Sequence, residues 1–429
     1  MMRSVIKKAL TGLLTREARL ALALHHPKVI AITGNLGKTS AKDAIFAAVS
    51  PRYRARKSTK SFNSDIGVPL SILGCGNPWS NPLRWIWTLV RGLFAALDPR
   101  FPALLVLEVG ADQPGDISSV ALWLKPDIAV FTGMQKVPVH VENFPSRDAL
   151  VREKRSLFEH LREGGVILAN ADGGMEEVLA GIATHPVTFG FKAGCDFAAS
   201  QFGIEKAEGL PRGVRAHVAH GSETVELSIL GALGKPRIYA ALAALASADA
   251  LDIPLADAAR SLAAWEPPAG RMRIIAGKNA SVILDDSYNA SPEATRSALD
   301  TLAEAGTKRR IAMLGDMLEL GSFSQSAHLA IGEQAARCCD VLVTVGERAR
   351  DIAEAARTAG IVAENVREYG HSESGRAGED TARGLLAGDV VLVKGSQGVR
   401  MERAVQALMA DPGDAGALLV RQDREWSRR

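Results

Sequence analysis

Apolar positions along the chain fall into short runs that alternate with longer, helix-patterned stretches. Runs at residues 29–33, 104–109, 128–132 and 166–170 read as strands, and the segments between them carry apolar residues at helical spacing. This alternation predicts a mostly parallel sheet covered by helices. Residues 196–230 break the pattern with short, polar-alternating stretches and turn residues, which predicts a small antiparallel patch. An Ala-rich helix follows at 239–251, and then the stiff segment Glu266-Pro-Pro-Ala-Gly-Arg271, which marks a domain boundary. Strand–helix alternation resumes at 282–285, 311–314, 341–345 and 390–393. Before the first strand, residues 1–26 read as a basic amphipathic helix carrying Arg3, Lys7, Lys8, Arg16 and Arg19, ended by Pro27.

The pattern assigns the α/β class: a P-loop-type, mostly parallel central domain followed by a second, Rossmann-like α/β domain. The expected division is a basic helix at 1–27, a central domain at 28–266 with an insertion at 76–102, a second domain at 267–410 and a tail at 411–429. The 429 residues suit two or three domains. The net charge of +3 is too mild for a nucleic-acid partner, which needs a dense basic stripe. Four cysteines, at 75, 195, 338 and 339, form no CxxC pair, so reduced thiols in a cytoplasmic protein are expected and structural zinc is not. No apolar run reaches the ~18 residues of a membrane span. The nearest, 83–97, is broken by Arg84 and Arg91.

Candidate chemistry begins at the first strand. It runs into Gly34-Asn35-Leu36-Gly37-Lys38-Thr39, with a helix expected from Ser40. Glycines let the backbone wrap phosphate oxygens, and the new helix turns its free N–H groups and positive dipole end toward them. Lys38 reaches the outer phosphates and the Thr39 hydroxyl holds Mg²⁺. Ile32 stands where the usual motif has its first glycine, so Gly34 falls inside the loop.

Three further residues are candidates, the first two at the same sheet edge. Glu108 ends the second of these runs, where a carboxylate either holds Mg²⁺ or faces water. His140 follows the run at 128–132 and reads either as a site residue or as a structural loop residue. Lys154 sits on the apolar line of a helix at 146–161, at i+4 from Leu150 and in line with Leu157 and Leu161; Ser146 is its candidate N-cap. A lysine there either snorkels its head to water or is carbamylated by CO₂, which converts it into an anionic metal ligand.

In order and spacing, the chain resembles the Mur ligases. The matching stretches are Ile32-Thr-Gly-Asn-Leu-Gly-Lys-Thr39, Asn63-Ser-Asp-Ile-Gly-Val-Pro-Leu70, Leu107-Glu-Val-Gly-Ala-Asp-Gln-Pro-Gly-Asp116, Lys125-Pro-Asp127, His140-Val-Glu142 and Lys154. Later come Gly270-Arg271, Asp285-Asp-Ser-Tyr-Asn-Ala-Ser-Pro292, Leu314-Gly-Asp-Met-Leu-Glu-Leu-Gly321, His328 and Val393-Lys-Gly-Ser396. The resemblance implies an ATP- and Mg²⁺-dependent carbon–nitrogen ligase of peptidoglycan (cell-wall) precursor synthesis. It would add D-alanyl-D-alanine to a muramoyl-tripeptide-like acceptor through an acyl phosphate. By position it implies that Lys38 and residues 34–40 hold ATP phosphates, and that Thr39, Glu108, His140 and a carbamylated Lys154 arrange Mg²⁺. Arg271, Asp286 and Asn289 would close over the nucleotide, while Asn63, Ser64, Tyr288, Lys394 and Ser396 would hold the substrates.

The chain departs from the family pattern in three places. About 28 residues precede the loop, where the family carries a uridine-nucleotide-binding domain of roughly a hundred residues. The expectation is an acceptor gripped without that domain, or with a partner protein in its place. The adenine-side segment reads Gly234-Lys-Pro-Arg-Ile-Tyr-Ala240, with Pro236 and Ala240 at the family's histidine and asparagine positions. The insertion at 76–102 carries Trp79, Trp85 and Trp87 and reads either as a helical hairpin packed on the core or as a contact with a membrane surface or lipid-linked substrate. The competing functions are a related amide ligase with a lipid-linked, folate-like or polymer acceptor, and a nucleotide-binding protein without ligase turnover.

Overall fold

The computed structural model describes residues 2–59, 62–78, 81–134, 143–306, 308–422 and 426. Two sheets form among them. The first contains β1 (Lys28–Thr33), β2 (Ala55–Lys57), β3 (Leu104–Glu108), β4 (Ile128–Phe131), β5 (Val166–Asn170), β6 (Val187–Gly190), β7 (Phe197–Ala207), β8 (Leu210–His220) and β9 (Glu223–Leu230), in the order β2-β3-β1-β4-β5-β6-β7-β8-β9. From β2 to β7 neighbours run parallel, and β7, β8 and β9 are antiparallel. The expected antiparallel stretch is thus present as β7–β9, and it extends the parallel sheet. All five residues of β3 are buried, as befits a parallel strand with helices on both faces.

The second sheet contains β10 (Arg273–Gly277), β11 (Ser281–Asp286), β12 (Arg310–Gly315), β13 (Val341–Val345), β14 (Val366–Tyr369) and β15 (Val390–Lys394), ordered β10-β11-β15-β12-β13-β14. Only β10 runs antiparallel to its neighbour. Because β15 inserts between β11 and β12, Asp286 pairs in register with Lys394 at the carboxyl ends of their strands.

The helices needed below are α1 (Met2–His25), α2 (Lys38–Val49), α3 (Gly67–Leu73), α4 (Pro82–Leu97), α5 (Asp116–Leu124) and α6 (Arg147–Glu159). Helix α6 starts at Ser146, whose Oγ accepts the Ala149 N–H at 3.2 Å. Glu153 on α6 accepts the backbone N–H groups of Gly115, Ile117 and Ser118 at 2.9, 2.6 and 2.9 Å. These are otherwise orphan donors at the start of α5, and the carboxylate locks the two helices together. The helix Lys235–Asp249 is buried nearly all round, which its alanines permit, and it packs against α2.

The insertion forms one helix, α4, and not a hairpin. Pro82 occupies its first turn, and the Asn81 side chain accepts the Arg84 N–H at 3.1 Å. The segment expected as a tail is packed instead: Ala415 and Leu419 are buried, and Arg421 pairs with buried Glu402 at 3.3 Å. The four thiols are free. No described helix is long and apolar enough to cross a membrane.

Candidate active site

The site grows from the central strand β1. Gly34 takes φ +147, a conformation that L side chains avoid, and a Cβ there would lie 2.2 Å from Thr132 Oγ1 and 2.9 Å from the Gly133 carbonyl. This close approach ties the loop to the end of β4. Asn35 N–H donates to the Gly133 carbonyl at 2.8 Å, and the Thr132 hydroxyl donates to the Leu36 carbonyl at 2.6 Å. Gly37, at φ +77, then launches α2, so residues 37–40 present the helix's free N–H groups to the cleft.

Register places Ile32 of β1 opposite Glu108 of β3, one strand away from the loop. The Thr39 hydroxyl donates to Glu108 Oε2 at 3.0 Å, and Asn63 Nδ2 lies 3.4 Å from Oε1. A hydroxyl and a carboxylate side by side at the carboxyl edge form a hard oxygen donor set, which fits Mg²⁺. Among the described residues, no group of three or more His, Cys, Asp or Glu forms a metal cluster. Phosphate oxygens and water would complete the octahedral shell.

Two lysines converge on one carbonyl. Lys38 Nζ donates to Gly34 O at 2.8 Å, and Lys154 Nζ reaches the same oxygen at 3.3 Å. Lys154 is 3% exposed, so its head does not snorkel to water. Burial, reinforced by the nearby Lys38 charge, pushes its ammonium down to about 7. Burial also lowers Lys38, with Glu108 opposing the shift and Arg271 adding to it. Arg271, from the second domain, lines the same cleft as the phosphate loop.

From that second domain Lys394 Nζ donates to Asp286 Oδ2 at 2.5 Å and to the Asn289 carbonyl at 3.0 Å. Arg271 stacks on the Tyr288 ring, 4.1 Å from its centroid. Burial raises the adjacent Asp285 to about 6, against hydrogen bonds from Ser287 and Gly270. The Ser396 hydroxyl accepts the Leu318 N–H at 2.9 Å. His328 serves the same wall: its Nε2 accepts the Met317 N–H at 3.0 Å.

A cleft of about 1880 Å³ joins these groups. Small-molecule sites are typically some 300–1,000 Å³, so this one has room for a nucleotide and further substrates together. Residues 34–40, Asn63, Glu108, Lys154, Arg271, Asp286, Tyr288, Asn289, Lys394 and Ser396 all line it. Ser64 is outside the cleft lining, a correction to its expected substrate role: its Oγ faces the Gly67 N–H at 3.3 Å and caps the start of α3. His140 and Glu142 lie outside the described residues.

Sequence reasoning missed Arg237. It lines the cleft from the first turn of the Ala-rich helix, is 2% exposed, and lies 4.4 Å from the Trp265 ring centroid. None of its three guanidinium nitrogens has a hydrogen-bond partner among the described residues, and burial pushes the group down to about 9 despite Asp43 and Asp286. The only sequence signal was a lone arginine inside a segment that departs from the family pattern.

Comparisons with known proteins give the family and the fold. Residues 90–248 match the Mur ligase middle domain, and residues 270–397 match the Mur ligase glutamate ligase domain. The UDP-N-acetylmuramoyl-tripeptide–D-alanyl-D-alanine ligase of Bacillus subtilis is 27% identical over 387 residues, covering 90% of this chain and 76% of the relative. Its Escherichia coli counterpart is 28% identical over 396 residues, covering 89% and 76%. The crystal structure of the MurF ligase of Thermotoga maritima in complex with ADP superposes with a TM-score of 0.75 at 22% identity, covering 95% of this chain and 84% of that one.

Proposed function

We propose that this chain, which belongs to the Mur ligase family, uses ATP to join D-alanyl-D-alanine to a muramoyl tripeptide in peptidoglycan precursor synthesis. The observation that carries the reading is the cleft itself. It holds a phosphate loop with Lys38, a Thr39–Glu108 oxygen pair, a buried Lys154 and, from the opposite domain, Arg271, Asp286 and Lys394.

The reaction has two displacements. A carboxylate oxygen of the acceptor attacks the γ-phosphorus, the bond to the ADP oxygen breaks, and an acyl phosphate forms. The amine nitrogen of the dipeptide then attacks the acyl carbon, inorganic phosphate leaves, and the nitrogen loses a proton. For both steps the protein supplies position and charge. Lys38 and the loop N–H groups hold the terminal phosphates. Thr39, Glu108 and carbamylated Lys154 would hold Mg²⁺, which neutralises phosphate charge. Arg271 and Asn289 cover the nucleotide from the second domain. Asp286 would join them there, and Asn63, Lys394 and Ser396 would hold the acceptor and the amine.

The test is inorganic phosphate release from ATP with UDP-linked muramoyl tripeptide and D-alanyl-D-alanine, each omitted in turn, with the amide product identified by mass. Dependence on both substrates is expected. Phosphate release that ignores either one, or no amide product, refutes the assignment.

A further inference from the structure

Helix α4 buries little of its apolar surface. The residues it buries fully are small, Thr88, Gly92 and Ala96, and Trp85 and Leu89 are packed, partly buried, beside them. A Cβ at Gly92 would fall 2.3 Å from Glu17 Oε2, so α1 and α4 approach closely there. Most of the large apolar residues point outward. Leu83 is 76% exposed, Phe94 70% and Trp87 66%, and Ile86, Val90, Leu93 and Leu97 are exposed on the same arc of the helix. On a helix of 3.6 residues per turn these seven positions span about one third of the circumference. A globular helix with a stripe this wide normally buries it, and contiguous exposed apolar patches mark interaction sites.

Charge identifies the partner. Arg84 and Arg91, two turns apart, flank the stripe along one edge, and both are exposed. Helix α4 contains no acidic residue. On α1, which packs against α4, Leu13, Leu20 and Leu24 are exposed beside exposed Arg16 and Arg19, and Glu17 is its one acidic residue. Burial lifts Glu17 to about 7, which weakens even that negative charge. Indole, phenyl and leucyl groups rimmed by arginines match the boundary between acyl chains and anionic headgroups.

We propose that the outward face of α4, with the neighbouring stripe of α1, is a docking surface for an anionic phospholipid bilayer on which the protein lies peripherally. The inference does not depend on the reading of the cleft.

The experiment is flotation of the full chain with vesicles of phosphatidylcholine, with and without a minority of phosphatidylglycerol. Binding to the anionic vesicles is expected, weakened about tenfold or more on neutral vesicles or in high salt. The exposed-site double variant Trp87→Glu/Phe94→Glu loses at least about tenfold in vesicle affinity, ~1.4 kcal/mol. It retains its circular dichroism and its phosphate release with soluble substrates. Arg84→Glu/Arg91→Glu abolishes the preference for phosphatidylglycerol. The proposal is overturned by a folded chain that does not float, by a double variant that floats like the parent, or by a dimer that fails to float and that the double variant converts to monomer. The last outcome would assign the face to a second copy of the chain.

Discussion

Lys154 offers the sharpest test of the catalytic reading. Its ammonium is pushed down to about 7 by burial and by Lys38. At pH 8 roughly nine-tenths of such a group is neutral, against ~0.4% of an ordinary lysine of pKa about 10.4, a gain on the order of 200-fold. Only the neutral amine reacts: its lone pair attacks the carbon of CO₂, an N–C bond forms, and one proton leaves the nitrogen. The product is an anion in the same cleft as the Thr39–Glu108 pair, whereas the unmodified ammonium puts a second cation 3.3 Å from the carbonyl that Lys38 already occupies. The sign of the pH dependence follows from the lowered value. Carbamate, and with it activity, rises as pH passes upward through about 7 and collapses below it. Lys154→Ala should lower phosphate release by about 10²-fold or more, the usual scale for one preorganised charge, and short carboxylic acids such as acetate should restore part of it. In ¹³C-bicarbonate the parent should show a carbamate carbonyl resonance that Lys154→Ala lacks. Full activity of the untreated variant, or an active parent without that resonance at pH 8, refutes the argument.

Four other outcomes are expected. Lys38→Ala keeps its circular dichroism but loses on the order of 10²–10³ in phosphate release, because no other side chain of the loop carries charge to the terminal phosphate. Gly34→Ala drives a methyl into Thr132 Oγ1 and the Gly133 carbonyl at positive φ, which costs about 2–4 kcal/mol in denaturant unfolding together with nucleotide binding. Arg237→Leu removes a buried, unpaired guanidinium, so the melting temperature rises while ATP affinity falls about tenfold, ~1.4 kcal/mol; a variant that binds ATP like the parent rules out a nucleotide role. Small-angle scattering should show compaction when an ATP analogue and both substrates are added, since groups from both sheets must enclose one acyl phosphate; superimposable profiles at saturation count against closure.

The site was legible where chemistry follows from local order along the chain. Strand, glycine loop and helix come in sequence around Lys38, and Lys154 betrayed itself as a charge on an apolar line. What escaped depends on tertiary placement. The strands β2, β6, β10 and β14 are short, at most five residues, and mix polar with apolar positions, so they carry little periodic signal. Ser64 and Asn63 are adjacent in one motif, and only the turn into α3 decides which of them meets the cleft. Arg237 reads along the chain as an ordinary solvated arginine; its burial comes from the strands and from Trp265 packed around it. For α4 the apolar run 83–97 was visible, but which side it buries was not, because large apolar residues stand on both sides: Trp85 and Leu89 pack against the core beside Thr88, Gly92 and Ala96, while Trp87 and Phe94 are exposed.

The last segment of the chain bears on how the protein can be handled. The Arg421 side chain is 4% exposed, pairs with Glu402, and donates to the backbone carbonyls of Ser287 at 2.7 Å and Tyr288 at 3.2 Å. Those carbonyls belong to the same loop that presents Tyr288 and Asn289 to the cleft. The end of the chain is thus a strut for a catalytic wall formed more than a hundred residues earlier. Ending the chain just before Arg421 would slacken the Tyr288 loop while keeping Ala415 and Leu419 in the core of the second sheet. Such a shortened protein would fold and still turn over poorly, and a screen judged on solubility alone would choose it.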